Sequence, residues 1–289
     1  MKSTTEKLIN SLQVEQLDTY LFRGFTENST LPRIFGGQLM AQAVNAALRT
    51  VLSDRTIHSL HSYFLVPGDP HKPVLFEVDL IQDGGSFSSR RVVAKQSGKV
   101  IFHSSFSFQS MEKGLEHQLP MPNSPAPDTL KDQESIWSEL KKRYPKRSFQ
   151  HKDFFSAWNI RSNELERIFQ PGPRSATRQL WIKLCEPLPE DPVLHRTLLT
   201  YVSDMFLMST ALLPHGMSVH SDRLQGASLD HAIWFHGPCR ADQWLLYQLD
   251  SPWSGGGRGL SRGSFYNISG DLVASTVQEG LMRLRLNEE

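Results

Sequence analysis

Apolar positions along the chain follow two rhythms in succession. Residues 7–20 carry Leu8, Leu12, Val14 and Leu17 at spacings that predict a short amphipathic helix. The stretch IFGGQLMAQAVNAALRTVL (34–52) opens on a glycine pair and stays apolar nearly all round, which predicts a buried helix. A period of two then takes over in HSLHSYFLV (58–66), PVLFEVDLIQDG (73–84), SFSSRRVVAKQSG (86–98) and KVIFHSSFSFQ (99–109). Gly84-Gly85 and Ser97-Gly98 punctuate these runs as turns, so a meander of antiparallel strands is expected.

The second half repeats the order. A helical run around 198–213 precedes SLDHAIWFHGP, WLLYQLDSPWSGGG, GLSRGSFYNISG and DLVASTVQEGLMRLRL. His61 and His231 stand 170 residues apart, as do Gly85 and Gly255, and Gly98 precedes Gly270 by 172. A repeat this long is a duplicated domain; solenoid repeats run to about 20–50 residues. Strands that follow one another without intervening helices place the chain in the α+β class. The expected organisation is a first domain at 1–110, a linker at 111–175 and a second domain at 176–289. Within the linker, Asp128 is a plausible N-cap for the helix in ESIWSELKKRYP (134–145), which Pro145 would end. The run KKRYPKR (141–147) reads as a solvated face before it reads as a phosphate patch.

Composition narrows the partners. The 289 residues are 39% hydrophobic and 21% charged, with a formal net charge of +1. That balance describes a folded protein with no global field for nucleic acid or a membrane surface. Two cysteines, Cys185 and Cys239, exclude a disulfide framework and a CxxC motif. The N-terminus lacks the apolar core of a secretory signal, no apolar run is long enough to span a membrane, and LRLNEE is not a peroxisomal address. A cytoplasmic setting is expected.

Three polar residues stand where a core would not choose them: Asp204, Ser228 and Gln278. Asp204 lies among Val202, Met205, Phe206, Leu207 and Met208. It either reaches solvent from one helix face or serves as a carboxylate that orients or deprotonates a water. In QEGLMRLRL, period two sends Gln278, Met282, Leu284 and Leu286 inward and Glu279, Arg283 and Arg285 outward, unless Gly280 bulges. Gln278 is then either a core amide satisfied by backbone or a holder of water. Ser228 precedes an apolar strand, where a hydroxyl often bonds nearby backbone, and no GxSxG elbow surrounds it. His58, His61, His231 and His236 have i+3 and i+5 spacings that point strand side chains to opposite faces, so no metal site is expected from them. The glycine runs at 84–85 and 255–257 read as hairpin turns, since no helix start follows.

The ordered series LFRG (21–24), IFGGQ (34–38), HSLHSYFLVPGDP (58–70), GGSFSSRRVVA (84–94), SDMFLMSTALLPHG (203–216), SLDHAIWFH (228–236), WLLYQLDSPW (244–253) and LVASTVQEG (272–280) resembles acyl-CoA thioesterase II, the TesB-type bacterial enzyme and its eukaryotic peroxisomal relatives. The resemblance covers nearly the whole chain. It implies a double hot-dog fold, two helices each wrapped by an antiparallel sheet. It implies a site in which an Asp, a Thr or Ser and a Gln bind the attacking water. Residue by residue these fall on Asp204 in SDMF, Ser228 in SLDH and Gln278 in VQEG, with serine replacing the commoner threonine. The first half lacks the set: Phe106 stands at the offset of 172 from Gln278, and Gly37 or a neighbour near the place of Asp204.

The implied reaction is hydrolysis of medium- to long-chain fatty acyl-CoA to free acid and CoA, with no cofactor, no metal and no covalent acyl-enzyme, and a backbone N–H near a helix start holding the oxyanion. Two rivals remain. An enoyl-thioester hydratase of the same fold would use an Asp–His pair, and Asp230-His231 is the adjacent pair here, its phase sending the two to opposite faces. A non-catalytic acyl-CoA-binding module would keep an apolar tunnel without needing Asp204. Exposed sheet edges need cover, so a homodimer or homotetramer is expected.

Overall fold

In the computed structural model, residues 2–26, 31–145, 155–162, 172–219 and 221–285 are described. Helix α1 (Thr4–Leu12) starts from a capping box in which Ser3 and Glu6 satisfy each other's backbone N–H groups. It ends five residues after the start of the helix expected at 7–20. Gln13 turns extended, and Val14 and Leu17 belong to strand β1 (Val14–Asp18), paired with β2 (Leu21–Gly24). Leu12 and Val14 are buried while Leu17 is exposed. Pairing with β2 outweighs the helical spacing.

Helix α2 (Gly36–Leu48) is buried on almost every side, as its composition predicts. It lies on a meander of β3 (Arg55–Phe64), β4 (Val74–Asp83), β5 (Phe87–Gln96) and β6 (Lys99–Ser110). The linker holds α3 (Gln133–Arg143), capped by Asp132 and not by Asp128, because the Asp132 side chain accepts from Ser135 N at 2.9 Å. Its last turn carries the exposed basic residues Lys141, Lys142 and Arg143, a solvated end that complements the helix dipole; 146–147 lie outside the described residues.

Strand β7 (Trp158–Arg161), inside the expected linker, pairs with β8 (Thr177–Leu184). The expected helix around 198–213 is two helices, α4 (Pro192–Ser203) and α5 (Leu207–Ala211). Asp191 caps α4 through Val193 N and Leu194 N, with Pro192 in the first turn. The chain breaks between them because Phe206 adopts the left-handed region, at φ +71°. The strands follow: β9 (Leu224–Ser228), β10 (Asp230–Phe235), β11 (Leu245–Gly255), β12 (Arg258–Asn267) and β13 (Leu272–Leu284).

All the strands join one antiparallel sheet ordered β1-β2-β4-β5-β6-β3-β10-β13-β12-β11-β8-β7, with β9 paired to β13. The halves meet where β3 pairs with β10, from Tyr63 opposite Asp230 to Ser59 opposite Trp234. On either side of that seam the strand order mirrors itself, and α2 packs against α4 over a shared apolar core. This is the double hot-dog arrangement.

The mirror tests the repeat. Buried Phe102, Ser104 and Phe106 on β6 match Ala274, Thr276 and Gln278 on β13 at an offset of 172, so Phe106 fills the place of Gln278. The pairing of His61 with His231 does not hold, because His61 is exposed and His231 buried. A bulge between Ile57 and Ser59 flips the face of β3, so Leu60 and Ser62 turn inward instead. Gly37 is likewise not the counterpart of Asp204. Asp204 is the C-cap of α4, and the C-cap of α2 is Arg49.

Candidate active site

Asp204, Ser228 and Gln278 converge where the two halves meet. β13 pairs with β10 up to Val277 and with β9 from Gly280. The chain kinks at Leu229 between those strands, whose N–H donates to Glu279 O at 2.9 Å and whose carbonyl accepts from Phe64 N at 2.9 Å. Gln278 faces inward opposite that kink, as its alternation predicts, and Gly280 keeps register instead of bulging. Ser228 is the last residue before the kink, opposite Gly280. The inward phase lapses by Leu284, which is exposed; Leu286 lies outside the described residues.

Asp204 is delivered by the break after α4. A left-handed conformation at a phenylalanine costs about 1–3 kcal/mol and needs holding. The Phe206 carbonyl accepts from Thr210 Oγ1 at 2.8 Å and Ser209 Oγ at 2.9 Å. Its ring stacks on Phe155 at 5.7 Å, and Ser261 Oγ donates to Leu207 O at 2.9 Å. The turn so fixed aims the Asp204 carboxylate at the first turn of α2. There Gly37 N donates to Oδ2 at 2.9 Å, which caps a helix that has no side-chain cap of its own. Glycine is needed at both positions. A Cβ on Gly36 would stand 2.7 Å from Asp204 Oδ2, and one on Gly37 would overlap the Tyr201 carbonyl.

Gln278 Nε2 donates to Asp204 Oδ1, and the Ser228 hydroxyl lies near enough to the same carboxylate to favour its ionised form. Asp204 is only 9% exposed and Gln278 1%. Burial pushes the Asp204 carboxyl above the usual carboxylate value, and the bonds from Gln278, Gly37 and Ser228 with the Arg33 charge pull it part of the way back. Gln278 Oε1 is buried without a hydrogen-bond partner. A buried carboxylate beside an open acceptor suits a water that donates one hydrogen to each.

The sequence reading missed the groups behind these three. His231 lies beneath Gln278, with Nδ1 3.3 Å from Gln278 Nε2 and Nε2 2.9 Å from Ser203 Oγ. Burial pushes its pKa down to about 3, so the ring is neutral. Tyr247 OH donates to Ser203 O at 2.7 Å. The glycine pair at 36–37 was a visible signal, as was the inward phase of His231 in its strand; their partners were not. Asp230 points the other way and accepts from Glu279 N at 2.7 Å, so the Asp–His pair of a hydratase does not form. His58 and His236 each contact a serine on the neighbouring strand, Ser107 at 2.7 Å and Ser275 at 2.9 Å.

Fold and site together define a double hot-dog protein with one composite polar site, built from the second half and closed by the first. Family profiles for "Acyl-CoA thioesterase N-terminal domain" and "Acyl-CoA thioesterase" match residues 27–109 and 149–281. The chain is 35% identical to acyl-CoA thioesterase 2 of Haemophilus influenzae, over 98% of this chain and 99% of that one. Acyl-CoA thioesterase II TesB2 of Mycobacterium marinum shares its structure at a TM-score of 0.79 and 40% identity, covering 96% and 98% of the two chains. A hot-dog protein of unknown function from Alicyclobacillus acidocaldarius, 16% identical, shares the fold at a TM-score of 0.74 over 96% and 98%. The chain belongs to the acyl-CoA thioesterase family, a family of thioester hydrolases. Among the described residues no helix is long and apolar enough to cross a membrane.

Proposed function

We propose that the chain hydrolyses medium- to long-chain fatty acyl-CoA to free acid and CoA, using a water held by Asp204, Ser228 and Gln278 without a covalent acyl-enzyme. The observation that carries this reading is the unpartnered Gln278 Oε1 beside the buried Asp204 carboxylate. Both hydrogens of Gln278 Nε2 are directed away, to Asp204 and His231, so the amide offers the water only an acceptor. The water donates one hydrogen to Gln278 and one to Asp204, leaving a lone pair for the thioester carbon. Asp204 removes the proton as the water attacks, and the Ser228 hydroxyl holds the water through its second lone pair. The positive end of α2 favours the developing oxyanion. Collapse of the adduct expels CoA as the thiolate, which recovers the proton from Asp204. Ser228 is not the nucleophile in this scheme: no GxSxG elbow presents it, and the nitrogens of His231 face Gln278 and Ser203.

Phe64 packs against Gly36, and Met208 lines the sheet at Gly226 and Gly280 beside Gln278. Such a wall supports an acyl chain, which gains up to about 0.8 kcal/mol per buried CH₂. The exposed Met111, Leu115 and Leu119 after β6 support self-association into the homodimer or homotetramer; a cytoplasmic setting is part of the same proposal. The test is CoA release from acyl-CoAs of graded length, trapped with a thiol dye, for wild type and Asp204→Asn. A loss of about 10²–10⁴ in kcat supports hydrolysis through Asp204. Equal rates remove Asp204 from the reaction, and acyl-CoA bound without turnover favours a binding module.

A further inference from the structure

The hydrogen bonds beneath Gln278 have a fixed polarity that can be followed outward from helix α4. The Ser203 hydroxyl donates to Thr200 O at 2.8 Å. With its hydrogen on Thr200 O, its oxygen accepts, and the contact of 2.9 Å with His231 Nε2 then fits a hydrogen on that nitrogen. The ring is neutral, as a fully buried imidazole is driven to be. Its Nδ1 therefore carries a lone pair, and this faces Gln278 at 3.3 Å. A lone pair accepts from an amide NH₂ and repels an amide oxygen.

Asp204 constrains the amide in the same sense while it is ionised, because its Oδ1 accepts from Gln278 Nε2. That constraint vanishes when Asp204 takes a proton from the water. A carboxylic acid can donate to an amide oxygen, so a protonated Asp204 would tolerate a flipped Gln278. The flip would turn NH₂ toward the water and remove its acceptor. Nδ1 of His231 opposes the flip in both protonation states of Asp204, since its own tautomer is set by Ser203 and does not depend on the carboxylate.

We infer that His231 is a positioning residue for the hydrolysis: with Ser203 it locks the Gln278 amide so that Oε1 faces the attacking water throughout the reaction. The inference rests on the proposed hydrolytic role of Asp204 and Gln278. It adds a task for a side chain that touches neither water nor substrate. It also accounts for a histidine buried to 1% exposure where an apolar residue would pack at lower desolvation cost.

The experiment compares His231→Asn, His231→Gln and His231→Leu in kcat, KM and urea unfolding. Asn places an oxygen at the position of Nδ1, so it keeps the acceptor for Gln278. Gln places its polar group toward Ser203, and Leu has neither. We expect kcat to fall about 10–100-fold in the Gln and Leu variants with KM nearly unchanged, as for a misplaced reacting group, and the Asn variant to stay within about fivefold of wild type. A role in packing alone orders them the other way, because Asn is the smallest of the three and leaves the largest cavity. Asn no better than Gln and Leu, or wild-type kcat in all three, overturns the inference. Should the variants not fold, ¹⁵N-histidine spectra of the wild-type protein decide the matter, with the His231 ring signal identified by its displacement in Ser203→Ala. The neutral Nε2–H tautomer is expected, and an Nδ1–H tautomer overturns the lock. Failure of the hydrolytic reading looks different: wild type releases no CoA, or Asp204→Asn is fully active, whatever the tautomer.

Discussion

Replacing Asp204 by Asn separates what the carboxylate does for catalysis from what it costs the fold. The side chain is 9% exposed and receives donors from Gln278 and Gly37, with the Ser228 hydroxyl close by. Those donors favour the ionised form, but burial outweighs them, and the folded-state pKa lies above the ordinary value of 3.8. A carboxyl with a raised pKa binds its proton more tightly folded than unfolded. Its ionisation therefore subtracts stability from the unfolded-state pKa, about 3.9, upward, until the folded-state pKa is passed. Each unit of that interval costs about 1.4 kcal/mol. Asn does not titrate and carries no buried charge, but with its oxygen on Gly37 N its NH₂ faces Gln278 Nε2, so it gives up one of the two bonds at every pH. The stability difference between the two should thus shift in the variant's favour as pH rises above about 4, and level off once the folded-state pKa is passed. Urea unfolding at pH 4, 5, 6, 7 and 8, with CoA release on the same samples, measures both effects. The rate should fall about 10²–10⁴-fold while the stability difference moves toward the variant with rising pH. A variant less stable than wild type by the same amount at every pH would refute the reasoning, since hydrogen bonds and not burial would then dominate the site.

The same raised pKa sets the acid limb of kcat/KM. Activity should fall as pH drops through a value above the ordinary carboxylate range, and a limb at or below pH 4 contradicts Asp204 as the base. Gly36→Ala drives a Cβ to 2.7 Å from Asp204 Oδ2 and 2.9 Å from the Phe64 ring, so the carboxylate must shift. We expect kcat to drop about 10–100-fold. The change in Tm should be small, because the gain of about 1 kcal/mol in helix propensity offsets part of the overpacking. Far from the site, Asp242 accepts from Leu188 N at 2.9 Å and Arg240 at 2.8 Å, and despite partial burial these partners hold its pKa down to about 2. Asp242→Ala should destabilise by about 1–3 kcal/mol in urea and leave kcat unchanged; a kcat loss larger than the stability loss explains would be the contrary result.

Local pattern carried far into this fold and then met bulges, breaks and caps. Strands β3–β6 and β10–β13 lie close to where period two puts them, while β1, β2, β7, β8 and β9 were not read from it, and the inward face of Gln278 follows from alternation that β13 keeps unbroken through Gly280. On β3 the offset of 170 mismatches His61 with His231, because one bulge near Ile57 reverses the face and leaves no mark in composition. The helical spacing that joined Leu8 to Leu17 gave way where β2 offered β1 a partner. The run through Asp204 reads as one helix until Phe206 is held left-handed by Thr210, Ser209 and Phe155. Phe106 in the place of Gln278 was legible, since β6 and β13 share a phase.

The sequence by itself determined the duplication, the alternating strands, the buried α2 and the three polar residues that stand out from apolar neighbours. Each is a property of one segment, or of two segments compared, and needs no contact to exist. The tertiary structure alone decided that Asp204 caps a helix 167 residues away, that His231 lies under Gln278, and that the amide's oxygen is the atom left open. Those are relations of distance and hydrogen-bond polarity between groups remote in the chain. They come into being only when the two halves close on each other and every buried donor must find an acceptor.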